Sequence, residues 1–180
     1  MKTYKPYQVV LIVFFSMFTN VGGRVIADYF KLPLWMDSFG TFFTAYTLGP
    51  ICGAIVGVSG NMIHGLLNPI SYVYSITAVF IAFIVGILAA RGWLNTLLKT
   101  MSLSVLVTLV CVLISVVLNA VFYDGDVGNV WGNSVVELFE SWGTPKPVRI
   151  VLGQFYIDFL DKVFTLVALY IFIRVYRVLK

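Results

Sequence analysis

Apolar stretches, several close to 20 residues long, follow one another through this chain with only short polar breaks, and that pattern constrains its fold more than any other feature. About 20 apolar residues in helical form cross about 30 Å of hydrocarbon. A sequence of 180 residues that is 60% hydrophobic and 11% charged is too apolar for a soluble domain. It reads as an all-α integral membrane protein, a single membrane domain over 1–180. The expected spans are six helices in one bundle, at 7–26, 37–48, 50–67, 72–90, 97–122 and 148–176. Pro50 separates the second from the third, and 131–142 reads as a short amphipathic segment outside the membrane.

Charge position sets the expected orientation. With both ends in the cytoplasm, the inner side holds Lys2, Lys5, Arg91, Lys99, Arg174, Arg177 and Lys180 and no carboxylate. The outer side holds a mixed set that leans acidic, from Arg24, Asp28 and Asp37 to Asp124, Asp126, Glu137 and Glu140. This follows the positive-inside rule. The net charge of +4 is therefore a topology signal; no solvated basic patch with aromatics points to nucleic acid. The first apolar run continues past any small-residue cleavage site into Asn20 and Arg24, so it reads as a retained helix. Cys52 and Cys111 fall inside spans and read as small packing residues.

Within the last span sits an anomaly. Gln154, Asp158, Asp161, Lys162 and Thr165 share a helical arc of roughly 100°, and charges at membrane depth are costly unless they serve a purpose. Lys162 lies four residues after Asp158, the spacing of an intrahelical ion pair, which leaves Gln154 and Asp161 as the stronger candidates for ligand contact. Asp158 would lie about 12 Å below Ile150, at cavity-floor depth.

Other faces converge on the same outer end. Gly53, Gly57, Gly60, His64 and Asn68 share one side of the third span, tight at one end and polar at the other. The fifth span carries Ser104, Thr108, Cys111, Ser115 and Asn119 on one stripe, though serines and threonines commonly satisfy their own helix. The fourth carries a flat stripe of Ser75, Ala78, Ala82, Gly86 and Ala89 for docking another helix, in this chain or a partner. His64, Asn68, Tyr72, Asn119 and the start of the last span could line one outward cavity, with the segment 131–142 acting as lid or interfacial anchor. Arg24 and Arg149 read as snorkelling to the interface. A single histidine excludes a multi-histidine metal site, and no metal or other cofactor is expected.

The stretch from Leu32 to Pro69, with its LPLWMD loop, LGP turn, GAIVG run and terminal NP, resembles the substrate-binding S-components of energy-coupling factor (ECF) transporters. The resemblance implies a subunit of the bacterial cytoplasmic membrane that captures a small water-soluble micronutrient outside. It also implies docking on a shared transmembrane subunit driven by two ATPases. The site it implies lies near the outer surface under the first and third outer loops, adding Trp35 and Asp37 to His64, Asn68, Tyr72, Asn119, Gln154, Asp158 and Asp161. Alanines four apart on the family's first helix are replaced here by Ser16, Asn20 and Gly23, so the small stripe of the fourth span becomes a candidate coupling surface.

The chain contains no G-x-x-x-x-G-K-[ST] phosphate loop, so it is expected to recognise cargo without hydrolysing ATP. A pocket of aspartates, amides and aromatics suits a polyol-like or pentose-like, nucleoside-like or thiamin-like molecule. The alternative is a stand-alone proton-coupled carrier using Asp158, Asp161 and Lys162. An enzyme would need a nucleophile and base together, such as His64 with Ser71 or Ser115, and no motif marks one.

Overall fold

The computed structural model describes residues 4–178 and holds, among them, seven α-helices, one 3-10 turn and no strand. In order these are α1 (Pro6–Tyr29), α2 (Phe39–Leu48), α3 (Pro50–Gly65), the 3-10 turn Pro69–Tyr72, α4 (Ser75–Ala90), α5 (Leu97–Phe122), α6 (Val130–Ser141) and α7 (Lys146–Val178). Lys2 and Lys180, expected on the inner side, lie outside the described residues.

Local chemistry sets the breaks. Gly49 takes φ +98°, a conformation only glycine adopts cheaply, and Pro50 then opens α3 at its first position, so α2 and α3 fold back on each other. Thr96 caps α5 by accepting from the Lys99 amide, and Asn129 caps α6 by accepting from the Trp131 amide.

Small residues then let the helices close. A β-carbon on Gly53 would sit 2.7 Å from Ala45 Cβ, and one on Gly57 would sit 2.9 Å from both Ala78 Cβ and Thr41 Oγ1. The glycine face of α3 is thus consumed by α2 and α4. Ala78, Ala82 and Ala89 are buried, and Gly86 of the same stripe lies against Pro50. This corrects the idea of α4 as a partner surface, because α3 already occupies it. The polar face of α1 is internal too: Asn20 donates to Thr41 Oγ1 at 2.9 Å and accepts from the Gly40 amide at 2.7 Å.

The interior is divided along the bundle axis. An apolar core built on Phe42, Val85, Leu103, Val107, Leu166 and Leu169 fills one half. The other half buries Asn119, Gln154, Asp158, Asp161 and Lys162. At the apolar end Arg174 donates to the Asn95 carbonyl at 2.6 Å, and Arg177 reaches the Tyr46 hydroxyl. Arg24, Asp28, Asp37, Asp124 and Lys146 pair with one another at the polar end. Arg24 and Arg149 do not snorkel freely: their side chains are 12% and 18% exposed and pair with Asp28 and Glu140.

Large apolar side chains clad the outside. Val10, Phe14 and Phe18 on α1, and Leu113, Val117 and Val121 on α5, are each more than half exposed at four-residue spacing. These two helices, of 24 and 26 residues, are the described ones long and apolar enough to cross a membrane. That corrects the expectation of six such spans. The α2 and α3 helices have 10 and 16 residues, α4 has 16, and α7, with 33, carries three charges inside its apolar stretch.

Candidate functional site

The polar half encloses a cavity of about 720 Å³ including its mouth, walled by α1, α3, α4, α5 and α7 and by the loops before α2 and α6. Five of the nine expected ligand-facing residues line it: Trp35, Asp37, Asn68, Gln154 and Asp158.

One wall is a directed hydrogen-bond relay. Gln154 Nε2 donates to Asp158 Oδ2 at 2.8 Å, and Asn119 Nδ2 donates to Gln154 Oε1 at 2.8 Å. The Tyr74 hydroxyl donates to Asn119 Oδ1. An ionised carboxylate only accepts, so it fixes the orientation of each amide in turn and makes the tyrosine a donor. Asn119, fully buried, stands behind Gln154 and does not line the cavity.

The loop before α2 is held from beneath. Asp161 Oδ1 accepts from the Trp35 and Met36 amides at 3.0 and 2.8 Å, while its Oδ2 takes the Lys162 ammonium at 2.6 Å. Met36 sits at φ +55°, a strained setting for its side chain that these bonds help to hold. Lys162 also donates to Ser38 Oγ at 3.0 Å.

Two expectations are corrected here. Lys162 pairs with Asp161, its neighbour in sequence, because Ser38 offers a second acceptor on that side. Asp158 is taken up instead by Gln154 and by the Trp35 indole, at 3.2 Å. Asp161 is fully buried and does not line the cavity, so it anchors the loop where ligand contact had been expected.

His64 and Tyr72 also lie elsewhere. His64 occupies an adjoining cleft, its Nδ1 2.6 Å from Ser71 Oγ and its Nε2 3.2 Å from Asp28 Oδ2. Ser71 reaches the cavity, so this serine, histidine and aspartate string can pass a proton between cavity and surface or activate Ser71 as a nucleophile. The Tyr72 ring covers Gly65 and faces outward.

Several lining residues were missed or differently assigned. Arg24 lies with its guanidinium 4.3 Å over the Trp35 ring and both Asp28 oxygens within 3.1 Å of its Nε. The i, i+4 spacing of Arg24 and Asp28 was the available signal. Thr77, Cys111 and Ser115 also line the cavity; the polar stripe of α5 pointed there but was read as self-satisfied.

The connection between α5 and α6 covers the mouth. Val127 and Gly128 line the cavity, Asn129 Nδ2 donates to the Leu32 carbonyl at 3.2 Å, and the Trp131 indole donates to the Lys31 carbonyl at 2.7 Å. The cover is this linker; α6 itself packs on α7, where a β-carbon on Gly153 would lie 2.7 Å from the Gly132 carbonyl. Outside the cavity, in a separate surface cleft, the Lys146 ammonium 2.6 Å from Asp124 holds that exposed carboxyl below its usual range. Comparison with family models, curated proteins and solved structures gives no match to this chain.

Proposed function

We propose that this chain is a multi-pass membrane protein that captures a small water-soluble molecule from outside, as the substrate-binding subunit of an ECF-type importer in the bacterial cytoplasmic membrane. The observation that carries the reading is a covered polar cavity at the acidic end of a bundle clad in large apolar side chains. Soluble monomers rarely expose apolar patches of that extent, and polar groups buried beside lipid gather at sites of function. In this reading α2 and α3 together serve as one broken span pair, α7 crosses with its charges turned inward, and the shared transmembrane subunit and two ATPases supply the energy. The chain itself catalyses nothing.

Purification from lipid followed by mass spectrometry of any bound small molecule tests the reading first. Equilibrium binding to vitamins, pentoses and nucleosides tests it second. Absence of any ligand at micromolar concentration in both would refute a capture role. A second reading, a proton-coupled carrier, is favoured by the string from Asp37 through Arg24, Asp28 and His64 to Ser71. Uptake into vesicles holding only this protein, collapsing with the proton gradient, would select it.

A further inference from the structure

Every ionised group lining the cavity except one stands in a contact ion pair. Arg24 is clamped by Asp28 at 3.0 Å and faces Asp37 at 3.5 Å, and Lys162 is matched by Asp161 at 2.6 Å. Asp158 lines the cavity at 3% exposure and forms no ion pair among the described residues. Its two bonds come from the neutral Trp35 indole and Gln154 amide. Around the cavity the carboxylates of Asp28, Asp37, Asp158 and Asp161 outnumber the Arg24 and Lys162 cations by two.

The relay adds direction to that charge. The relay runs toward Asp158, so what an occupant meets is mainly acceptor capacity, the unused lone pairs of the Asp158 carboxylate and the Tyr74 oxygen, beside the second Nε2 hydrogen of Gln154. A carboxylate or phosphate on the occupant would meet the like charge of Asp158, with the second Nε2 hydrogen of Gln154 as the donor on this wall. A positive N–H group would meet a buried carboxylate that stands in no contact ion pair, where a charge-assisted bond is about twice as strong as a neutral one.

Building on the capture reading above, we propose that the cargo is a small organic cation whose positive N–H group sits on Asp158. The Trp35 ring, held by Arg24 and by its own bond to Asp158, then flanks the bound group. Thr77 Oγ1, buried at the cavity wall with no partner, is one polar atom left for the rest of the molecule, beside the Asn61 and Ser115 side chains.

Three probes of one shape and different charge test this on the full chain in lipid nanodiscs: benzamidine, benzamide and benzoate, read by calorimetry. Benzamidine should bind at least about tenfold tighter than benzamide, with benzoate weakest. In Asp158→Asn the advantage of benzamidine over benzamide should fall to within about threefold. The wild-type ranking needs no variant, so it stands even if Asp158→Asn folds poorly. Benzamide or benzoate binding as tightly as benzamidine, or a ranking unchanged in Asp158→Asn, would overturn the proposal. A neutral or anionic metabolite recovered from the cavity would overturn the cation while leaving capture intact. No binding by any probe at millimolar concentration, with no metabolite recovered, would sink both.

Discussion

The pairing of Lys162 with Asp161 makes a sharp energetic prediction. In Asp161→Asn the loop keeps its acceptor, since Asn Oδ1 can still take the Trp35 and Met36 amides, but the bonds become neutral and roughly half as strong. The larger loss is at Lys162, whose side chain is 5% exposed and keeps only Ser38 Oγ. Stranding one partner of a buried pair costs about 3–5 kcal/mol, so the unfolding temperature in detergent should fall by roughly 6–20 °C. Lys162→Met alone strands the carboxylate, and its cost is tempered by the two loop amides. The double variant removes both charges and should be markedly more stable than Asp161→Asn, giving a coupling energy above about 1.5 kcal/mol. The matching cycle of Asp158→Asn with Lys162→Met should give a coupling well below that, since Asp158 and Lys162 do not form a pair. Equal couplings in the two cycles, or an Asp161→Asn shift under about 2 °C, would refute the assignment.

Four smaller tests probe packing, the loop latch and an exposed ion pair. Gly53→Val, whose new carbons would press on Ala45, should destabilise by about 1–3 kcal/mol. By contrast Gly22→Ala, open on all sides within α1, should stabilise by about 0.5–1 kcal/mol in the same thermal scan. Trp131→Phe keeps the ring but deletes the donor to Lys31, so hydrogen exchange in the segment 31–36 should quicken while global unfolding barely moves; unchanged exchange there would count against a latch. Asp124 is held below its ordinary range by Lys146, so its contribution is present above that range and fades as pH falls through the lowered value. Lys146→Ala should raise the Asp124 titration seen by NMR yet leave the unfolding temperature at pH 7 unchanged, because an exposed pair is screened.

Much of the helical frame was legible because its signals are local. The span 97–122 coincides with α5, where a capping threonine precedes a long apolar run, and the Gly49 and Pro50 break divides α2 from α3 as expected. The amphipathic segment 131–142 is α6 shifted by one residue. Crossing capacity was less legible, because apolar content does not fix both ends of a helix: α4 ends at Ala90 as expected but starts only at Ser75, and α7 extends to 33 residues with charges inside it.

The site divides along the same line. Helical period brought Gln154, Asp158, Asp161 and Lys162 to one face correctly, but a face roughly 100° wide has two edges. At one edge Asp158 meets the cavity; at the other Asp161 meets the backbone of Trp35 and Met36, residues more than 120 positions away in sequence. Which carboxylate Lys162 chooses is then decided by Ser38, on that same distant loop. The i, i+4 rule weighs two side chains on an isolated helix at a few tenths of a kcal/mol. A buried ammonium with two acceptors on one side overrides that preference easily. The reversal of roles between the two aspartates follows: the one expected to be locked in a salt bridge is the carboxylate outside the contact pair, and the one expected to be free holds the loop in place.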